Sequence, residues 1–533
     1  MSPKINNLIN ERPKPFVLIV LDGWGVASDS KANAITQAAP QNFQNYCNNY
    51  LALTLQASGE SVGLPWGEMG NSEVGHMNIG AGKIIYQDLP RINKAILEKS
   101  FFENETLLGA VRHVKNKKTN LHLIGLLSNG GVHSYDQHLY SILDICSNQG
   151  LKDVFIHIIL DGRDTPYNSG LNYVTDLQKK IASVGIGTIA SISGRFWAMD
   201  RDNHWERTKV AYLAIAEGTA ERKGNDALAV IKESYSQKNY DEEFTPTVIT
   251  KNSHGCKITE GDAVIFFNYR ADRARQLTKA FVLPDFDKFP ERVYRQNLKF
   301  VTMTNYEEGL PVEVAFPPEK VDVPLAKVIS QAGLKQLHIA ETEKYAHVTY
   351  FFNGGHEEPF KGQENIMIPS PRIPSYDAQP EMSAREITKQ VVNDVVDNKY
   401  DFIIVNFANP DMVSHTGNFK AAVKAIQTID QCLAEIAENV LSVGGVLAIT
   451  ADHGNAECLV KLRTGEIDKE HSCTPVPFIL IGEPWFNKES NKDAGAVDLS
   501  LLTPSGVLAD IAPTILKIMR LDQPLEMTGR SLI

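Results

Sequence analysis

The sequence has no long basic run, no apolar run able to cross a bilayer, no CxxC pair and no low-complexity tract. The first absence, with a net charge of −11, argues against nucleic acid or an anionic membrane as the main partner. The longest early apolar run, Phe16 to Leu21, is far too short for a membrane span and ends in Asp22. Met1 to Pro15 is polar and lacks the apolar core of a secretion signal. Cys47, Cys146, Cys256, Cys432, Cys458 and Cys473 are scattered, as free thiols of a reducing compartment are. A cytoplasmic location is the expectation. What is present points to an enzyme. A chain of 533 residues exceeds one core, so two or more domains are expected. Its 43% hydrophobic and 22% charged content is that of a soluble globular enzyme.

The stretch Gly70-Asn71-Ser72-Glu73-Val74-Gly75-His76 sets a hydroxyl between glycines, just before an expected helix from Val74 to Ile79. Free N–H groups at a helix start attract anions, so a serine there is placed to attack and then carry a phosphoryl group. Serine is a weak nucleophile at neutral pH and needs a base or a metal. The plainer reading is an ordinary N-cap serine.

Phe16 to Leu21 reads as a buried strand delivering Asp22-Gly23 to its carboxyl end, where ligands sit in open α/β sheets. Four further strands, Leu121–Leu127, Phe155–Leu160, Thr188–Ser193 and Ala263–Asn268, are each followed by an arginine or histidine. If they are parallel, Arg163, Arg195, Arg201, Arg270 and Arg273 gather as a cationic cup suited to carboxylate and phosphate. The alternative is arginines paired with Asp164, Asp202 and Asp272. Leu337–Glu341 is a strand leading to Lys344, which is either a point charge for an oxyanion or merely solvated. Pro369–Pro380 is a loop, and Ser383–Val396 a helix with Ser383 as its N-cap.

Strands Phe402–Asn406 and Val446–Thr450 lead to Asp411 and His415, four apart on a helical turn, and to Asp452-His453; His471 lies one segment on. Asp22, Asp411, His415, Asp452, His453 and His471 are too many ligands for one ion with an open site, so two divalent ions are expected. An ion on the Ser72 oxygen would favour the alkoxide.

The motifs LDGWG, GNSEVGHMNIGAG, GGVHSYDQH, DGRDTP, GRFWAMDRDNHWERT, NYRADRARQ, EKYAHVTYFFNGG, NPDMVSHTGN, TADHGNAE and HSCTPVPF stand in an order that resembles one family, from about Phe16 to the C-terminus. It is the cofactor-independent (2,3-bisphosphoglycerate-independent) phosphoglycerate mutases of the alkaline phosphatase superfamily. The resemblance implies two three-layer α/β domains. One is phosphatase-like and discontinuous (1–86 and 319–533); the other is inserted (88–317) and binds substrate. It implies one ion held by Asp22, Ser72, Asp452 and His453, and another held by Asp411, His415 and His471. It likens Lys344 to a phosphoryl-contacting lysine. His133, Arg163, Asp164, Arg195, Arg201, Arg270 and Arg273 resemble the substrate set, Arg270 and Arg273 on phosphate and the others on glycerate.

The implied reaction is interconversion of 2- and 3-phosphoglycerate in glycolysis and gluconeogenesis through a phosphoserine on Ser72, with no 2,3-bisphosphoglycerate. Asp164 or Asp22 manages the hydroxyl protons. Mn²⁺ is the first choice of ion, with Mg²⁺, Co²⁺ or Zn²⁺ compatible with the same donors, and a monomer is the expected state. Two alternatives stay open: a metal-dependent phosphomonoesterase or other phosphomutase of the superfamily, and a non-catalytic phosphoglycerate- or metal-binding protein.

Overall fold

A computed structural model describes residues 12–250, 257–486 and 497–533, so Cys256 lies outside the described residues. The chain forms two compact units: the described residues of Met1–Gln87 with Glu319–Ile533, and Asp88–Pro318. Each is built on an eight-stranded sheet. Among the described residues no helix is long and apolar enough to cross a membrane.

In the first unit the strands lie in the order Gln363–Ile368, Gln336–Glu341, Phe402–Phe407, Phe16–Leu21, Val446–Thr450, Val476–Ile481, Leu51–Gln56 and Gly506–Val507. The first five run parallel, and Val476–Ile481 is antiparallel to its neighbours. Every residue of Phe16–Leu21, Phe402–Phe407 and Val446–Thr450 is buried. That is why these strands read as largely apolar runs: both faces of the sheet are covered. Val20 is in register with Asn406 and with Thr450, so the chain leaves all three strands at one sheet edge.

The helix after the glycine-rich stretch starts earlier than expected, at Ser72, and runs to Ala81. Its cap is Asn71, whose side chain accepts from the Val74 N–H at 2.9 Å. Ser72 is therefore the first helical residue and its hydroxyl is free for other work, which removes the N-cap reading. Ser383 does precede the helix Ala384–Val396, but it caps nothing: its hydroxyl donates to the Pro369 carbonyl at 2.8 Å.

In the second unit the order is Glu313–Val314, Lys299–Thr302, Ala263–Phe266, Leu121–Leu126, Val154–Leu160, Thr188–Gly194, Thr247–Ile249 and Arg222–Gly224. All adjacent pairs are parallel except Thr188–Gly194 with Thr247–Ile249. The four strands expected to carry cationic residues are thus neighbours pointing one way.

Candidate active site

At the shared edge of the first sheet, Ser72 Oγ is buried and donates to Asp22 Oδ1 at 3.1 Å. His453 Nε2 lies 3.0 Å from the same oxygen, and Lys344 Nζ donates to it at 2.7 Å. Lys344 is not solvated. It comes after the strand Gln336–Glu341 in a 3₁₀ turn, is 4% exposed, and also donates to Asp22 Oδ1 (2.6 Å) and Asp411 Oδ2 (2.7 Å). Burial alone would lower its pKa; Asp22, Asp411 and Asp452 override that and raise it.

The second group lies around Asp411, in the short helix Asn409–Ser414. His415 Nε2 and His471 Nε2 approach Asp411 Oδ1 at 3.2 and 3.4 Å, and lie 3.1 Å from each other. Burial opposes ionisation of Asp411, but Lys344, His415 and His471 hold its carboxyl well below the usual range. Burial likewise opposes charge on Asp452, yet His453, His76 and Lys344 keep it low. Burial would lower His453, but Asp452, Asp22 and Asp411 push it up to about 10. The carboxylates therefore demand positive charge here, and in the bare protein histidines and Lys344 supply it.

The donor set fits divalent metal ions. His415, His453 and His471 each turn Nδ1 to a backbone carbonyl, of Lys469 (2.8 Å), Gly454 (3.2 Å) and Gly70 (2.8 Å). A carbonyl only accepts, so each Nδ1 carries a proton and Nε2 is the nitrogen turned to the carboxylates; a bound cation would take over the positive charge and leave Nε2 as a ligand, as outer contacts do for metal-binding histidines. His415 Nε2 and His471 Nε2 face each other beside Asp411 Oδ1, a donor arrangement that a divalent cation would satisfy. Asp452 Oδ2 is buried and accepts no hydrogen bond. Asp411, His453 and His471 present ligand atoms within 4.8 Å of one another, and so do Asp22, His76 and Asp452.

Three further residues of the site, Asn406, Asn455 and His76, are not singled out by the sequence. Asn406 Nδ2 donates to Asp22 Oδ2 at 2.8 Å, and Asn455 Nδ2 to Asp411 Oδ1 at 2.8 Å. His76 is wholly buried, 3.2 Å from Asp452 Oδ2. The available signals are an asparagine interrupting the apolar run Phe402–Phe407 and a Ser-x₃-His spacing on one helix.

In the second unit, His133, Arg163, Arg195 and Arg270 come after four parallel strands, and an acidic frame orders them. Arg195, 3% exposed, donates through Nη1 to Asp161 Oδ1 and Asp164 Oδ2, both at 2.6 Å. Burial would lower the Arg195 pKa; Asp164 and Asp161 raise it. Asp272 gathers Arg201 (2.9 Å), Arg270 (3.3 Å) and His133 (3.5 Å). Arg273 donates to the Met199 carbonyl at 3.1 Å. Its pKa is lowered by burial and then by Arg201, Arg195 and Arg163, which share one field. Burial and then Arg195 lower His133 to about 4, so it is neutral at pH 7. The aspartate pairing weighed as an alternative to the cup exists, but it accompanies the clustering: Arg163, Arg201 and Arg270 remain about half exposed.

Comparison with known proteins matches residues 92–308 to the family described as BPG-independent PGAM N-terminus. A 2,3-bisphosphoglycerate-independent phosphoglycerate mutase of Chloroflexus aggregans is 47% identical over 98% of this chain and 99% of that protein. The chain belongs to that family. It is thus an isomerase, a 2,3-bisphosphoglycerate-independent phosphoglycerate mutase. The family's member from Clostridium perfringens is 48% identical over 98% of this chain and 99% of its own. Among solved structures, a phosphoglycerate mutase of Leishmania mexicana, studied at low cobalt concentration, is 29% identical with a TM-score of 0.52, covering 98% of both chains. These likenesses span the residues of both units.

Proposed function

We propose that this mutase interconverts 2-phosphoglycerate and 3-phosphoglycerate in glycolysis and gluconeogenesis through a phosphoserine on Ser72. The observation that carries this reading is the environment of Ser72 Oγ: released from capping, it donates to Asp22 and accepts from the Lys344 ammonium. Asp22 draws the hydroxyl proton while Lys344 stabilises the oxygen that attacks. The Oγ–P bond forms as the bond to the substrate oxygen breaks, and that oxygen leaves as the glycerate hydroxyl by taking up one proton, which balances the proton Ser72 gave to Asp22. The other hydroxyl of the retained glycerate then takes the phosphoryl group back from Oγ. Lys344 is suited to the charge on the phosphoryl oxygens in both steps.

Two divalent ions, Mn²⁺ in the first instance, are proposed for Asp22, Ser72, Asp452 and His453, and for Asp411, His415 and His471. When bound, such ions polarise phosphoryl oxygens and favour the serine alkoxide. The unit Asp88–Pro318 is proposed to recognise substrate: Arg270 and Arg273 the phosphate, and His133, Arg163, Arg195 and Arg201 the glycerate. Asp164, which anchors Arg195, is proposed to share in handling hydroxyl protons. Charge and family suggest a cytoplasmic monomer with no nucleic-acid or membrane partner and no need of 2,3-bisphosphoglycerate.

The test is turnover of 3-phosphoglycerate without 2,3-bisphosphoglycerate, before and after chelation and Mn²⁺ replacement. Loss on chelation and return with Mn²⁺ is expected, with Ser72→Ala inactive yet folded. Release of free phosphate and glycerate would point to a phosphomonoesterase, and appreciable mutase activity in Ser72→Ala would end the covalent route.

A further inference from the structure

His76 lies within ligand distance of Asp22 and Asp452 but has no role in the proposed ion or substrate sets; it is 0% exposed and lies one helical turn after Ser72. Its hydrogen bonds can be assigned from chemistry alone. Nδ1 lies 2.9 Å from the Ser72 carbonyl oxygen, which only accepts, so Nδ1 carries a proton. Asn406 presents Nδ2 to Asp22 Oδ2, a carboxylate that also only accepts, so that atom is the amide nitrogen. Its second hydrogen points to His76 Nε2 at 3.1 Å, which must then be the lone pair of a neutral ring. The same Nδ1 edge lies 3.2 Å from Asp452 Oδ2. One imidazole therefore hydrogen-bonds the backbone of the nucleophile, sets the same polar N–H edge beside one carboxylate, and reaches a second carboxylate through one amide.

The packing forces this arrangement. A Cβ on Gly75 would lie 2.6 Å from the Asp452 carbonyl oxygen, so only glycine lets the helix approach the Asp452 loop closely enough for His76 to reach it. On the outer side the His347 ring packs tilted against His76, with centroids 5.5 Å apart.

We infer that His76 and Asn406 are positioning residues: as a neutral Nδ1-protonated imidazole and its amide partner, they hold Asp22, Ser72 and Asp452 as one set. Asn406 engages the outer oxygen of Asp22, Oδ2, and leaves Oδ1 to Ser72 and Lys344. The inference rests on the proposed assignment of Asp22, Ser72 and Asp452 to one ion. It leaves the Asp411, His415 and His471 group untouched, because Asn455 performs the parallel task there.

The experiment is Mn²⁺ titration by calorimetry, with steady-state kinetics on 3-phosphoglycerate, for the full chain, His76→Phe and His76→Asn. His76→Phe keeps the ring volume and loses both nitrogens; His76→Asn keeps a donor toward the Ser72 carbonyl. Loss of outer contacts to metal ligands typically costs about 10–100-fold in affinity or activity. The expected result is a weakening of that order at one of two Mn²⁺ sites in His76→Phe, with kcat reduced, KM unchanged and partial rescue in His76→Asn. Two sites bound as tightly as in the parent, or equal weakening of both with a lower melting temperature, would overturn the inference. If the parent itself binds fewer than two ions, the two-ion reading fails. The inference is then decided by the kinetics: kcat falling at constant KM supports it, and unchanged kcat removes it. Should His76→Phe not fold, Asn406→Ala breaks the same bridge and is read the same way.

Discussion

At the scale of single residues, the site is a balance of buried charge. Asp22, Asp411 and Asp452 are all but fully buried, and Lys344 is the lysine that touches two of them and the nucleophile. Breaking a buried ion pair by removing one partner costs about 3–5 kcal/mol, because the other charge stays unpaired. Lys344→Met is therefore expected to lower the melting temperature of chelated protein strongly, to regain much of it with Mn²⁺, and to remain inactive. Thermal melts with and without Mn²⁺ check this; a variant as stable as its parent under chelation would show that Lys344 does not carry the charge balance. From the residues alone a solvated Lys344 is the commoner reading, and only the family resemblance favours a phosphoryl contact. Its burial comes from the turn after Gln336–Glu341, a tertiary placement that no neighbour in the chain announces.

At the scale of elements, the helix Ser72–Ala81 owes its position to two glycines. A Cβ at Gly75 would meet the Asp452 backbone, and one at Gly80 would sit 2.0 Å from the Phe352 carbonyl oxygen. Neither glycine has the left-handed backbone, so their role is close approach and not turn geometry. Gly75→Ala improves helix propensity by about 1 kcal/mol, but overpacking costs about 1–3 kcal/mol, and packing should win. The expected outcome is a modest loss of stability with a large loss of kcat, as the helix is pushed off the Asp452 loop. Kinetics and a thermal melt decide it, and wild-type kcat in Gly75→Ala would refute the close-approach argument. The expected strand ends were good to within a residue or two because apolar runs mark them. The helix start was missed by two, because Asn71 competed successfully with Ser72 for the cap.

At the scale of the whole molecule, each unit buries a histidine that burial keeps neutral. His338 in the first unit is lowered to about 4 and His138 in the second to about 3, in both cases by desolvation. The sign is fixed by the unfolded chain, in which a histidine titrates near 6.5. Above that pH neither state binds the proton and these groups add no slope. Below it the unfolded state binds more protons, so stability is lost as pH falls from about 6.5 toward 4, by up to about 1.4 kcal/mol per pH unit for each group. Melts of chelated protein between pH 7 and 4.5 should show this decline, and His338→Gln should make it shallower. An identical slope in that variant would mean that other groups govern the acid limb.

Much of the chemistry is written locally. Ser72 stands out by its glycine-rich setting. Asp22, Asp411, His415, Asp452, His453 and the five arginines stand out because each comes after an apolar run that becomes a strand, and within each unit parallel strands bring the residues at their carboxyl ends to one edge of that unit's own sheet. The length and the alternation of runs and helices likewise imply α/β units without any coordinates. Distances between remote segments lie beyond such local reading. Whether Ser72 caps its helix, whether Lys344 is buried, and that His76 meets Asn406 some 330 positions away depend on which atoms compete for each hydrogen bond once the sheet has brought them together. Desolvation then fixes the protonation states, since the cost of a buried charge is set by every neighbour within a few ångströms and not by the neighbours in sequence.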